Sequence, residues 1–166
     1  MLLYILLIFP GKTMKHIKKV LALSTTVFGS ICLAGVAATT DILEFNASTV
    51  PCIAENVTAG IAKDKTWRVL HREMDSSNIG KNRTFACANF KGTDSCDEFP
   101  FASTTESTAL RLAGTRKHAI RNAPLTQQRS QGGVMSTFYG NKKIGQGDAF
   151  TVSVAGAGVC QIPQQN

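Results

Sequence analysis

The chain is poor in the residues that build compact metal clusters and catalytic clusters. It has only three histidines, and two of them, His71 and His118, are far apart in sequence and lie in no HxxxH pattern. None of its five cysteines forms a CxxC pair, which argues against a zinc–thiolate centre. Acidic residues number eleven, against eighteen lysines and arginines. Any general base or metal ligand is therefore expected to be a carboxylate.

Residues 1–38 have the pattern of an export signal. Met14–Lys19 is positively charged, Val20–Val36 is mostly apolar, and Ala37-Ala38 supplies the small residues that precede signal-peptidase cleavage. The apolar stretch Leu2–Pro10 is far shorter than the ~20 residues needed to span a bilayer. We expect cleavage after Ala38, with the residues before Met14 as a spurious extension. A retained membrane anchor is the other interpretation.

Residues 39–166 then form one domain of ordinary size. They hold four cysteines, and an even number in an exported chain predicts disulfides. Of the three pairings, loop geometry favours Cys87–Cys96, which closes a short loop, and Cys52–Cys160, which ties the two ends together. We expect a monomer, without stable membrane association after cleavage, that is secreted to the medium or kept in the periplasm.

Charge is unevenly distributed along this domain. The net charge of +7 falls to +3 once the four leader lysines are removed, with fourteen basic and eleven acidic residues remaining. From Thr39 to Glu106 acids outnumber bases by ten to seven, whereas from Ser107 onward seven bases accompany one acid, Asp148. An acidic half suited to cations and a basic half suited to phosphates is one interpretation. Chance clustering on solvated faces is the other.

Periodicity predicts an α+β fold, with a small antiparallel sheet and a few packed helices. Alternating segments predict strands at Asp41–Phe45, Ala109–Leu112, His118–Arg121 and Ala149–Val154. Spacings of three and four predict a helix capped by Thr126 that ends at Gly140-Asn141.

Other segments are less regular. Thr66–Met74 fits a strand or a helix, Asp75–Gly80 is predicted as a turn, and Gly92–Thr105 as mostly loop. The pair Gly132-Gly133 costs a helix roughly 1 kcal/mol per glycine. It indicates close approach of another group to the backbone, which would be either a phosphate or a packing neighbour.

The stretch Ser95–Thr104, "SCDEFPFAST", is the strongest candidate for chemistry. Adjacent side chains in extended backbone point in opposite directions, so Asp97 and Glu98 are not expected to share one role. Pro100 restricts its own φ and favours extended backbone at Phe99, which would hold the acids in a defined orientation. An exposed acidic turn is the alternative interpretation.

Continued through Glu106, this stretch resembles the signature of the NucA/NucB-type secreted deoxyribonucleases. Further matches in the same order are Leu70-His71-Arg72, Asn82-Arg83, Gln131-Gly132-Gly133, Phe138-Tyr139 and Gly147–Phe150. The resemblance covers roughly residues 67–154. Several separated motifs in one order are far more specific than any of them alone.

The resemblance implies a secreted endonuclease that hydrolyses DNA with little sequence preference and needs one divalent cation, Mg²⁺ or Mn²⁺. It implies that Asp97 is the general base and that Glu106 is a further catalytic residue, and the position of Glu98 beside Asp97 makes it a third candidate. Asp97, Glu106 and Gln128 would hold the cation. Contacts to DNA phosphates would come from Arg129, Gln131, His71 and Arg72.

Two departures from the family pattern leave a second function open. Gln127-Gln128 stands where many members have Glu-Asn, and Ser107-Thr108 follows Glu106 in place of a Gly-rich pair. These changes bear on metal affinity more than on the fold. The alternative is a secreted DNA-binding protein on the same scaffold, with altered catalysis.

Overall fold

The computed structural model describes residues 40–163, so the predicted signal peptide and its cleavage site lie outside the described residues. In this range five strands, four α-helices and one 3₁₀ turn occur. In chain order they are β1 Asp41–Asn46, α1 Pro51–Lys63, the 3₁₀ turn Lys65–Arg68, β2 Val69–His71, α2 Ser76–Ala86, β3 Ser95–Phe99, α3 Thr105–Leu112, β4 Ala119–Ala123, α4 Leu125–Lys142 and β5 Ala149–Ala155. No helix among the described residues is long and apolar enough to cross a bilayer.

The strands form two small sheets, which confirms the α+β prediction. β5 lies between β1 and β2, parallel to β1 and antiparallel to β2. β3 and β4 form a separate antiparallel pair, in which Asp97 faces Arg121 and Glu98 faces Ile120 along the register. The antiparallel expectation thus holds for two of the three strand pairs, and the β1–β5 pair is parallel.

Helix α1 packs against both sheets and carries much of the core. Its buried residues Ile53 and Val57 join aromatic side chains from β3 and β5, among them Phe99 and Phe150. Gly60 allows this close packing, because a Cβ there would lie 2.3 Å from the ring of Phe99. The helix therefore fixes the position of β3 relative to the rest of the domain.

Both predicted disulfides are confirmed. Cys52–Cys160 links the start of α1 to the chain beyond β5, and Cys87–Cys96 links the residue after α2 to β3. Such cross-links typically stabilise small exported domains by about 2–4 kcal/mol. The second one holds α2 beside the strand that carries Asp97.

Two of the predicted segments are wrong because side-chain caps begin helices there. Asp75 accepts hydrogen bonds from the backbone N–H groups of Ser77 and Asn78, so α2 replaces the predicted turn. Thr104 caps α3 in the same way, so Ala109–Leu112 is helical and not a strand. The predicted loop at Gly92–Thr105 contains β3.

Helix α4 also differs from its prediction. It begins at Leu125, after Pro124, and Thr126 is not its cap. Gly132 and Gly133 lie in its interior, where backbone N–H groups already bond within the helix, so they are not available at a helix start. Apart from the adjacent residues and the nearby backbone of α4 itself, no described atom would lie within 4 Å of a Cβ at either glycine, which contradicts the packing interpretation.

Candidate active site at the β3–β4 strand pair

Asp97 and Glu98 lie on opposite faces of β3, as the alternation of an extended chain predicts. Asp97 faces α1 and α4, whereas Glu98 faces the Cys87–Cys96 disulfide and the turn at Ala102. Both carboxylates are buried, with relative exposures of 1% and 7%. The exposed acidic turn is therefore the wrong interpretation of this stretch.

Three side-chain amides donate hydrogen bonds to the carboxylate of Asp97. Asn56 Nδ2 lies 2.8 Å from Oδ2, and Gln128 Nε2 and Gln131 Nε2 lie 2.8 and 2.9 Å from Oδ1. Gln128 and Gln131 are one helical turn apart on α4, so the same face of that helix presents both amides. We call Asp97, Asn56, Gln128 and Gln131 the amide cradle.

The amide cradle sets the ionisation of Asp97. Burial raises the pKa of Asp97 to about 6, and the three amide hydrogen bonds and the nearby Arg83 charge oppose that rise. A carboxylate with a pKa near 6 is largely ionised at neutral pH yet basic enough to accept a proton. The side chain of Asp97 is therefore a buried anion whose proton affinity lies close to neutral pH.

Glu98 has a poorer set of partners. Its Oε1 accepts one long hydrogen bond, 3.4 Å, from the backbone N–H of Ala102. Cys87 Sγ lies 3.7 Å from Oε2 but carries no proton, because it is part of the disulfide. Burial, followed by the charge of Asp97, raises the pKa of Glu98 to about 8. Glu98 is therefore mostly protonated at neutral pH.

Arg83 and Gln128 connect the amide cradle to the protein surface. The exposed Arg83 donates a hydrogen bond of 3.3 Å to the side-chain Oε1 of Gln128, and Gln128 is half-buried. Arg129, the next residue along α4, is exposed. Gln127 turns elsewhere, since its Oε1 accepts a hydrogen bond from the backbone N–H of Cys52. Arg83 is therefore the cation that contacts the amide cradle from outside, whereas Arg129, one residue on from Gln128, points to another side of α4.

The other predicted site residues form a separate cluster. His71 donates its backbone N–H to Glu106 Oε2 at 3.1 Å, and its ring Nδ1 lies 2.6 Å from Glu106 Oε1. Arg72 lies 3.9 Å above the ring of Tyr139 and donates a hydrogen bond to the carbonyl oxygen of Ser103. In the described residues no hydrogen bond or ion pair joins this cluster to Asp97 or Gln128. The expectation that Glu106 shares one set of ligands with them finds no contact here.

Asn56 is a part of the site that sequence reasoning missed. The tripeptide Asn56-Val57-Thr58 has the form of a glycosylation sequon, and nothing in it indicates a partner forty-one residues away. Asn56 is buried, and its amide also donates to the backbone oxygen of Asp97 at 3.1 Å. A polar residue inside the apolar face of α1 was the only signal available.

The oxygen atoms around Asp97 are of the chemical types that bind a hard cation. One carboxylate and the amide oxygens of two glutamines are the ligand types that Mg²⁺ and Mn²⁺ prefer. Both amides would have to turn their oxygens inward, and only one of the three groups carries charge. The one acidic and sulfur-containing cluster found among the described residues, Glu98 with Cys87 and Cys96, is not such a site, because its sulfurs form a disulfide.

Comparison with known proteins supports the resemblance carried by the sequence motifs. Residues 48–153 match the family model described as Deoxyribonuclease NucA/NucB. None of the curated proteins searched matches the chain. The matched range spans more than half of the 166 residues and contains the β3–β4 strand pair, α4 and the His71–Glu106 cluster. The chain belongs to the NucA/NucB deoxyribonuclease family.

Proposed function

We propose that this protein is a secreted endonuclease that hydrolyses DNA phosphodiester bonds with the help of one divalent cation and with little sequence preference. Membership of a deoxyribonuclease family supports the reaction and DNA as the substrate. Two disulfides support an oxidising compartment. The observation on which the proposal depends is the buried carboxylate of Asp97, oriented by three amides and poised to accept a proton near neutral pH.

Asp97 acts as the general base in this proposal. Its Oδ1 takes the proton of the attacking water, while Asn56 keeps the carboxylate oriented through Oδ2. Gln128 is the partner that gives way, because it is half-buried and lies in the first turn of α4 next to Arg83. A cation bound at the oxygens of Asp97 and Gln128 would stabilise the negative charge that develops on the phosphate in the transition state.

Arg83 and Arg129 bind the scissile phosphate in this scheme, with Gln131 holding Asp97. Exposed arginines, one beside the amide cradle and one on α4, would contact the DNA backbone, which carries no sequence information directly. Low sequence preference follows from that. Glu98, protonated at neutral pH, stabilises the β3–β4 strand pair from its other face and does not compete for the cation.

The His71–Glu106 cluster has a second role, in binding the strand. Glu106 orients the imidazole of the exposed His71 by accepting from Nδ1–H, and in the protonated form of the ring Nε2–H would donate to a phosphate. Arg72 is held against Tyr139 and Ser103 on the neighbouring position of the chain. Glu106 would therefore act through His71, and a metal-binding role for Glu106 requires a cation site separate from Asp97.

Plasmid cleavage tests the proposal directly. The processed protein should convert supercoiled plasmid to nicked and linear forms with Mg²⁺ or Mn²⁺, and a chelator should stop the reaction. Asp97→Asn should remove most of that activity, whereas Asp94→Asn, which changes an exposed carboxylate just before β3, should not. Undiminished cutting by Asp97→Asn would refute the role of Asp97.

A DNA-binding protein without catalysis is the second candidate. It is favoured by the three amide donors, which already occupy Asp97, and by Gln127-Gln128 in place of Glu-Asn. This candidate predicts salt-sensitive retardation of DNA on a gel with no cleavage at any divalent cation. Arg129→Ala should weaken that retardation more than Arg68→Ala, a change of another exposed arginine on the 3₁₀ turn.

A further inference from the structure

A cavity of about 370 Å³ lies on the face of the β3–β4 strand pair that is opposite to the amide cradle. Ile120 and Asn122 of β4 line it, and they face Glu98 and Cys96 in the strand register, not Asp97. Its volume is within the roughly 300–1,000 Å³ of small-molecule sites. Neither Asp97 nor any residue of the His71–Glu106 cluster lines it.

The walls of the cavity combine an aromatic ring with positive charge. Phe90, Ala86 and Ile120 supply apolar surface, and Lys91 and Arg116 supply two cations, while none of its eight lining residues is acidic. The ring of Phe90 rests on Gly92, where a Cβ would lie 2.0 Å from it. Such a wall is suited to a flat, apolar group attached to an anion.

A buried histidine in the same cavity lacks one hydrogen-bond partner. His118 is 6% exposed, and its Nε2 lies 2.8 Å from Ser107 Oγ. Within residues 40–163 no group bonds to its Nδ1, which is also buried. Burial, aided by the charge of Lys63, lowers the pKa of His118 to about 4, so the ring is neutral at pH 7. A buried polar atom without a partner is costly and calls for a ligand or water.

We propose that this cavity binds a single unstacked nucleotide, with its base against Phe90 and His118 Nδ1 and its phosphate near Lys91 and Arg116. The assignment of a nucleotide, in preference to another aromatic anion, rests on the proposed function. An aromatic face accepts any base by stacking, and basic side chains at its rim hold the backbone. The nucleotide is either an unpaired position of the DNA strand or a free mononucleotide.

Binding of deoxyadenosine monophosphate by the processed protein tests this proposal. Titration of ¹⁵N-labelled protein should shift the His118 ring nitrogens and the amides of residues 89–92 at pH 7. Phe90→Ala should weaken binding about tenfold, within the 1–3 kcal/mol that one stacked base contributes. Lys91→Ala should weaken it less, and Lys65→Ala, a control at an exposed lysine outside the cavity, should not. Phe90→Leu replaces Phe90→Ala if thermal unfolding shows that the alanine variant does not fold.

Three further probes separate the outcomes. Deoxyadenosine and inorganic phosphate should each bind more weakly than the nucleotide, and a single-stranded oligodeoxynucleotide that shifts the same signals would identify the DNA strand as the source. Equal binding of phosphate and nucleotide, insensitivity to Phe90→Ala, or no saturation by about 10 mM nucleotide would overturn the proposal.

These measurements are independent of catalysis, since nucleotide binding requires neither a divalent cation nor Asp97. Nucleotide binding without plasmid cleavage would contradict the proposed function alone. Cleavage without nucleotide binding would contradict the cavity proposal alone.

Discussion

Asp97 and Glu98 are neighbours on one strand and equally removed from solvent, yet the structure surrounds them with different chemistry. Three amides support negative charge on Asp97, and the charge of Arg83 lowers the pKa of both carboxyl groups. Glu98 has one long backbone hydrogen bond and a disulfide sulfur without a proton, and it also feels the charge of Asp97. The two pKa values, about 6 and about 8, differ accordingly.

This difference shows that burial alone does not decide what an acidic residue does. Desolvation raises both pKa values, and the number and charge of the hydrogen-bond donors then decide how far each one rises. At neutral pH Asp97 is therefore mostly ionised, whereas Glu98 is mostly protonated. The following experiments weaken or sharpen this contrast, in order of decreasing expected effect.

Asp97→Asn should have the largest effect. The change removes the proton acceptor and places an amide donor opposite Asn56 Nδ2, so plasmid cleavage should fall about 10²–10⁴-fold. The reaction is followed on agarose gels with Mg²⁺. Glu98→Gln is the matched control on the other face of β3, and it should retain most of the activity. A similar loss in both variants would remove the distinction between the two carboxylates.

Glu98→Gln should instead change the pH dependence of stability. The folded pKa of Glu98 is raised to about 8, so the folded state holds a proton that the unfolded chain loses from about pH 4.5 upward. Its contribution is present below pH 4.5 and is lost as the pH rises through 8. Wild type should lose on the order of 2–4 kcal/mol of unfolding free energy between pH 5 and pH 9, and the variant should lose less.

Urea unfolding at several pH values measures that slope. Glu44→Gln, a change of an exposed carboxylate, should keep the wild-type slope. Unchanged pH dependence in Glu98→Gln would mean that the carboxyl group is ionised in the folded protein. The contrast with Asp97 would then be wrong.

Gln128→Glu should increase divalent-cation affinity, by about tenfold. The change places a second carboxylate beside Asp97, and a second acidic ligand favours a hard cation. In the absence of a cation, the same charge should raise the pKa of Asp97 further. Isothermal titration with Mg²⁺ and Mn²⁺ measures the affinity. Gln127→Glu, where the side chain faces Cys52, should have a smaller effect, and the reverse order would move the cation site toward residue 127.

Gln131→Met should have the smallest effect, a shift in one titration. It removes one donor to the ionised form of Asp97 while keeping a similar shape, so the pKa of Asp97 should rise by less than about one unit. Carboxyl ¹³C titration by NMR follows it, and the acidic limb of the cleavage profile should move to higher pH by the same amount. Gln127→Met, which does not touch Asp97, should leave both unchanged, and a fall in the pKa in Gln131→Met would contradict the assigned hydrogen bond.

Much of the framework was predictable from local pattern. Both disulfides followed from cysteine number and loop length, and β1, β4 and β5 followed from alternation. The opposite orientation of Asp97 and Glu98 also followed from extended backbone, although the segment is a strand and not a loop. Helix α2 was missed because its cap, Asp75, begins a run of turn-forming residues, and α3 was missed because Ala109–Leu112 alternates as a strand would.

The composition of the site was less predictable, because its members are distant in sequence. Asn56, Asp97 and Gln131 belong to α1, β3 and α4, and only the packing of α1 and α4 against the β3–β4 strand pair brings them together. Glu106 was expected beside Asp97 from its place in the family motif. Helix α3 directs it toward His71 instead.

The order of residues by itself determined which carboxylates, amides and cysteines this protein has, and which neighbours along the chain point apart. The tertiary structure alone decided that Asp97 meets three amides and Glu98 a disulfide, and that His118 lines a cavity with one nitrogen unpartnered in the described residues. The physical reason is that ionisation and binding depend on the donors, charges and water within a few ångströms of an atom. Those neighbours come from distant segments of the chain.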